Sequence, residues 1–117
     1  SLRINSLSKE ELDYLDYLID WAHINNLEFH ITELNLWVQD EITDLDSIQN
    51  VQSNIYQKLV NKLISKKNNG VIALNFWGLK DRNGRQKLNK NILSIYDRNL
   101  NPNPCLETIK SCLNNGE

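Results

Sequence analysis

The chain of 117 residues predicts an α/β fold in which strands are joined by helical crossovers. Three observations predict it. Apolar residues recur at helical spacing in three stretches, and two short apolar runs between them read as strands. Helix and strand alternate, in the order helix, strand, helix, strand, helix, which is the pattern of a parallel sheet. The first helix feeds the first strand with almost no loop, as α/β units do. Two parallel strands do not make a stable sheet alone, and the length suits one domain or part of a larger one.

Composition narrows the partners. A formal net charge of −2 and the lack of a basic stripe speak against nucleic acid. No apolar run approaches the ~18 residues of a membrane span. No signal peptide is visible, and the chain reads as beginning in mid-domain. Cys105 and Cys112 are seven residues apart, two helical turns or about 10 Å, too far for a disulfide. They read as small buried apolar residues. No second Cys or His pair stands near them, so no metal site and no cofactor are expected.

The elements follow in order. Ser1 to Leu7 gives no clear element. Ser8-Lys9-Glu10-Glu11 fits a capping box, with Ser8 as N-cap. The helix runs to about Asn25. Leu12, Leu15, Ile19 and Ala22 form its buried stripe, and Tyr14, Leu18 and Trp21 widen it. Asn25-Asn26 is the stop, because Asn tolerates the left-handed conformation. Leu27 to Leu34 is the first strand. Strict alternation puts Phe29, Ile31, Glu33 and Asn35 on one side and Glu28, His30 and Thr32 on the other. His30 then points away from Glu33, and His23 reads as a surface residue. The acidic loop from Gln39 to Asp46 is long for such a connection. Calcium is one reading of that run and a solvated loop the other.

A second helix opens near Asp46 or Ser47 and buries Ile48, Val51, Ile55, Tyr56, Leu59 and Leu63. Lys66-Lys67 sit in its last turn, where cations favour the dipole. Val71 to Trp77 is nearly all apolar, as strands covered on both faces are. Its parity puts Val71, Ala73, Asn75 and Trp77 on one face and Ile72, Leu74 and Phe76 on the helix side. Asp81 to Arg85 is a turn-rich loop, and residues 91–97 hold one short extended piece. Asn103 caps a last helix with Pro104 at its first position, burying Leu106, Ile109 and Leu113.

Glu33 is the sharpest chemical feature. It lies toward the C-terminal end of a strand, where α/β folds place active sites. Its structural alternative is a carboxylate paired with Arg or Lys at the rim of a sheet.

His30-Ile31-Thr32-Glu33-Leu34-Asn35 resembles the "ITELD" signature of glycoside hydrolase family 10, whose best-known members are endo-1,4-β-xylanases. Gln52 and Tyr56 resemble the "QAxxY" of its penultimate helix. Gly70-Val71, then Phe76-Trp77-Gly78 with Asp81, resemble its "GV…WGxxD" strand. Leu93 to Pro104 resembles the "LLFDxNxxPKPAY" run before its last helix. The match covers essentially the whole chain.

That resemblance implies the C-terminal part of a (β/α)8 barrel, beginning after the sixth strand: helix six, strand seven, helix seven, strand eight and helix eight. Residues 1–117 are then one partial catalytic domain. Glu33 takes the position of the nucleophile. Trp77 takes that of a Trp bordering the sugar subsite next to the scissile bond, and Asn35 and Trp37 are the further substrate-contacting candidates. The implied partners are xylan or a xylo-oligosaccharide and the missing N-terminal part of the barrel. The implied location is extracellular. A retaining glycosidase needs two carboxyl groups about 5–5.5 Å apart. The family's acid/base Glu follows its fourth strand, which this chain does not contain. Asp81 and Asp40 are other acids, but nothing places them in that role. The isolated chain is therefore expected to be inactive, and marginal or oligomeric through its open strand edges.

Two departures stand against the pattern. Asn35 replaces the Asp that helps orient the family's nucleophile, and Arg82 to Gln86 lacks the second Trp. Both favour an alternative reading as a degenerate, non-catalytic carbohydrate-binding or scaffold module.

Overall fold

The computed structural model describes residues 2–4, 7–36, 44–76, 78, 94–97 and 99–116; for residues 2–4 and 35 it describes the backbone alone. The elements are β1 (Leu2–Ile4), α1 (Lys9–Ile24), β2 (Phe29–Leu36), α2 (Leu45–Ser65), β3 (Ile72–Phe76) and α3 (Pro104–Asn115). The three strands form one sheet in the order β1-β2-β3, all parallel, with α1 and α2 as crossovers. The two strands read from the sequence are there. β1 is an addition and a correction: Leu2, Arg3 and Ile4 pair with Leu34, Asn35 and Leu36, along the edge of β2 expected to be open. Its three residues are too few to show a period.

Local chemistry sets the helix ends. Ser8 caps α1, its Oγ accepting from the Glu11 backbone N–H at 3.2 Å. At the other end Asn26 takes a left-handed φ of 58°. The Leu27 N–H then reaches back to the Ala22 carbonyl at 2.8 Å, closing the helix and turning the chain straight into β2. Asp44 caps α2 by accepting from the Ser47 N–H at 2.9 Å, so the helix opens a little earlier than the sequence indicated. Ser47, through its side chain first and this backbone N–H second, holds the Asp44 carboxyl below the usual carboxylate range. Pro104 opens α3, but Asn103 does not cap it with its side chain. Its Nδ2 donates instead to the Ser94 carbonyl at 2.7 Å, and its N–H to that of Ile95 at 2.9 Å. Among the described residues of the expected extended piece, Tyr96 forms an isolated bridge with Pro102.

One core joins the sheet to the helices. Leu15 and Ile19 of α1, Ile31, Leu34 and Leu36 of β2, and Ile55, Tyr56, Leu59, Val60 and Leu63 of α2 share it with Cys105, Ile109 and Cys112 of α3. Fully burying one such aliphatic side chain is worth about 1.5–3 kcal/mol. Neither cysteine forms a disulfide, and both are buried. The ring of Tyr56 meets that of Phe76 at 5.8 Å, tying α2 to β3.

Four side chains sit otherwise than the sequence indicated. Tyr14 and Trp21 are exposed, because 100° per residue carries them to the side of α1 opposite Ile19. Leu113 is exposed because the seam of α3 follows Cys105, Ile109 and Cys112. His23 is half-buried, its Nε2 3.1 Å from the Val71 carbonyl.

Candidate active site

The site is built on β2, and its geometry turns on an irregularity. Phe29, His30 and Ile31 pair with Ile72, Ala73 and Leu74 in step, but Leu34 pairs with Phe76. Three residues of β2 thus oppose two of β3, which is a bulge at Thr32-Glu33. Side chains alternate on either side of it but not across it. Ile31, Leu34 and Leu36 all turn into the helix-covered core, as do Leu74 and Phe76 from β3. Thr32 and Glu33 are both exposed, on the opposite face of the sheet.

This corrects the strict alternation. Glu33 does not share a face with Phe29 and Ile31. It shares one with His30, which pairs with Ala73 on the side away from the helices. His30 is exposed and bonds Glu28, its Nε2 2.7 Å from Oε2. An exposed pair of this kind adds little stability, so its effect is to fix the imidazole's direction. Among the described side chains no ion pair includes Glu33; the side chains of all four arginines lie outside them.

The expected face of β3 holds. Ile72, Leu74 and Phe76 pack on the core, while Asn75 is exposed. Because the strands are parallel, Glu33 lies near the level of Asn75 and Phe76, at the C-terminal end of β3. A carboxylate there is open to a ligand approaching the C-terminal edge.

Trp37 and Trp77 lie outside the described residues, as do Asp40 and Asp81, and so does the side chain of Asn35. Among the described residues, no group of three or more His, Cys, Asp or Glu could hold a metal ion. No described helix is long and apolar enough to cross a membrane.

The comparisons with known proteins agree on one family. The profile of glycosyl hydrolase family 10 matches residues 4–112. Among solved structures, the chain is similar to xylanase 10B from Thermotoga petrophila RKU-1 in complex with xylobiose, with 21% identity and a TM-score of 0.66, covering 90% of this chain and 31% of that one. It is similar to the Penicillium canescens endo-1,4-beta-xylanase XylE at 13% identity and a TM-score of 0.71, covering 97% and 34%. It is similar to xylanase B from Clostridium stercorarium F9 at 25% identity and a TM-score of 0.65, covering 84% and 32%. The chain thus spans about a third of the length of these structures. No curated protein matches.

Proposed function

Because the chain belongs to glycosyl hydrolase family 10, whose catalytic domain is a (β/α)8 barrel, we propose that it forms the C-terminal part of a retaining, endo-1,4-β-xylanase-like active site in which Glu33 is the nucleophile. The observation that carries this reading is the position of Glu33. It is an exposed carboxylate on the non-helical face of a parallel strand, within the segment resembling the family signature. In this reading β1 is the sixth strand, β2 the seventh and β3 the eighth. The face bearing His30, Glu33 and Asn75 lines the barrel.

The chemistry follows from two carboxyl groups on opposite sides of a glycosidic bond. The Glu33 carboxylate attacks the anomeric carbon while a general acid, supplied by the N-terminal part of the barrel, protonates the departing oxygen. A glycosyl ester on Glu33 results. Water, deprotonated by the same second carboxylate, then displaces Glu33 with net retention of configuration. Asn35, Trp37 and Trp77 are proposed to contact the sugar, aromatic faces suiting its C–H groups. The substrate is xylan or a xylo-oligosaccharide, and the setting is extracellular.

The test uses a xyloside fluorinated at C2 and carrying a leaving group that needs no protonation. Fluorine slows both steps by opposing positive charge at the anomeric carbon, and the ester accumulates. In the barrel that includes this chain, mass spectrometry of the digested protein should find the sugar on the peptide bearing Glu33. Glu33→Gln should lower xylan turnover by at least about a thousandfold. A label on another carboxylate, with Glu33→Gln fully active, would overturn the assignment. Asn35, which lacks the charge of the family's usual Asp, favours the second reading, a non-catalytic carbohydrate-binding module. Xylan binding with no turnover and no label in the complete barrel would establish that one.

A further inference from the structure

We propose that the outward side of α1 is a second carbohydrate-binding surface, remote from Glu33, that holds a stretch of neutral polysaccharide on the aromatic row Tyr14, Tyr17 and Trp21. This rests on the polysaccharide substrate of the proposed function.

Tyr14, Tyr17 and Trp21 fall at i, i+3 and i+7 of α1, so they form one continuous row. They are 63%, 62% and 53% exposed, although rings of this size are normally covered. The rings of Tyr14 and Tyr17 lie near-parallel, at 18°, with centroids 6.4 Å apart. Ile24, one turn beyond Trp21 on α1, is also exposed. A row of this size marks a contact surface.

Completing a barrel would not cover it. α1 buries Leu15, Ile19 and Ala22 against the sheet. Asp16 and Asp20 turn toward α2, where they meet Lys62 and Lys66. The opposite flank, with Glu11 and Leu18, is where the next helix of the ring would pack. At 100° per residue the aromatic row points away from the core, between the two flanks.

The occupant follows from ring type and charge. α1 carries five carboxylates (Glu10, Glu11, Asp13, Asp16 and Asp20) against the single lysine Lys9, which repels nucleic acid and anionic lipid alike. Asp16 and Asp20 are committed to lysines of α2, while Glu10 and Asp13 are exposed beside the rings. Flat aromatic faces flanked by hydrogen-bond acceptors complement a neutral sugar chain, which offers C–H faces to the rings and hydroxyl donors to the carboxylates.

The experiment is native affinity electrophoresis of the 117-residue chain in gels containing soluble neutral arabinoxylan, a mixed-linkage β-glucan, or no polysaccharide. Circular dichroism of every variant checks that the helices persist. The wild type and Glu33→Gln should both be retarded by arabinoxylan, and 0.5 M salt should not release them. Tyr17→Ala/Trp21→Ala should weaken retardation about tenfold, with helix content unchanged. No retardation of the wild type by either polysaccharide, or equal retardation of the double variant, would overturn the proposal. A double variant that loses only a dimer, by sedimentation velocity, would overturn it in favour of self-association. Retardation that depends on the row in β-glucan but not in arabinoxylan would keep the surface and remove xylan from the proposed function. Loss of xylan turnover by Glu33→Gln tests that function separately.

Discussion

Leu34 of β2 stands opposite Phe76 of β3, although Ile31, three residues earlier, stands opposite Leu74, only two residues earlier. The extra residue does not disturb the core, since Ile31, Leu34 and Leu36 are all buried. What it changes is where Glu33 sits along the strand. Deleting Thr32 would leave Phe29-His30-Ile31-Glu33-Leu34-Asn35-Leu36, which alternates without a break. That deletion is expected to keep a cooperative melt while moving the Glu33 carboxylate by a fraction of a strand step. Since misplacement by about 1 Å costs on the order of 100-fold in rate, xylan turnover by the complete barrel should fall at least that much. Thermal melting and turnover measured together check this. A fully active deletion would show that the bulge does not set the position of Glu33.

The same segment shows what was legible in the sequence. Ser8 with Glu11, Asn25-Asn26 and Pro104 marked helix ends by side-chain chemistry and backbone tolerance, both local properties, and the helices end close to where these residues put them. Ile72, Leu74 and Phe76 gave the core face of β3 through a regular period. Strict alternation fails on β2 because Thr32 and Glu33, side by side, are both exposed. Two consecutive polar residues between Ile31 and Leu34, followed by Leu36, are the signal of a bulge. Apolarity alone points Tyr14 and Trp21 inward, but their angle from Ile19 puts them outside. The half-burial of His23 is not legible locally, because its partner, the Val71 carbonyl, is 48 residues away.

That contact yields the second prediction. A Cβ at Gly70 would lie 2.5 Å from Cδ2 and 2.8 Å from Cγ of His23, whose ring is held by the Val71 carbonyl. Gly70→Ala must therefore displace the ring, at a cost of roughly 1–3 kcal/mol. Urea unfolding should show a lower midpoint with an unchanged slope. His23→Ala/Gly70→Ala should be less destabilised than the two single changes summed, because the clash is gone. Additive single costs would mean that Gly70 is required for another reason.

Alkaline pH should weaken the fold. Lys66 bonds Asp20 at 2.9 Å, and this bond chiefly raises its pKa above the ordinary lysine value, with Asp16 adding to it. Burial pushes the Tyr56 phenol up, with Cys105 adding to the effect. Each group binds its proton more tightly folded than unfolded. The stabilisation is complete below the unfolded pKa, near 10 for Tyr and 10.5 for Lys, and is lost as pH rises toward the folded values. The urea midpoint should be level from about pH 8 to 9.5 and fall above about pH 10. Tyr56→Phe and Lys66→Ala should each make that fall shallower. A midpoint that keeps rising through pH 10.5 would contradict the sign.

Self-association is the expected state of the 117-residue chain by itself. Among the described residues β3 pairs with β2 alone, so its other edge presents unpaired N–H and C=O groups. The face of the sheet bearing His30, Thr32, Glu33 and Asn75 is open to solvent rather than closed into a barrel. An edge of this kind is a template for pairing with a second chain. Competing with it is the polarity of that face, which carries no exposed aliphatic side chain on β2 to drive stacking. Edge pairing should therefore dominate over face-to-face association. Sedimentation velocity should show a concentration-dependent rise above the monomer. Substituting Lys for Asn75 should leave that rise in place, because the side chain of residue 75 stands on the face and not along the edge. Replacing Ala73 by Pro should unfold the sheet instead, because the Phe29 N–H bonds the Val71 carbonyl and Phe29 pairs with Ile72, a parallel pattern that turns the Ala73 N–H to β2. Ile72→Pro, at the first residue of the strand with its N–H on the open edge, should suppress the rise. A concentration-independent monomer with a cooperative melt would show that β1, β2 and β3 suffice as a closed unit.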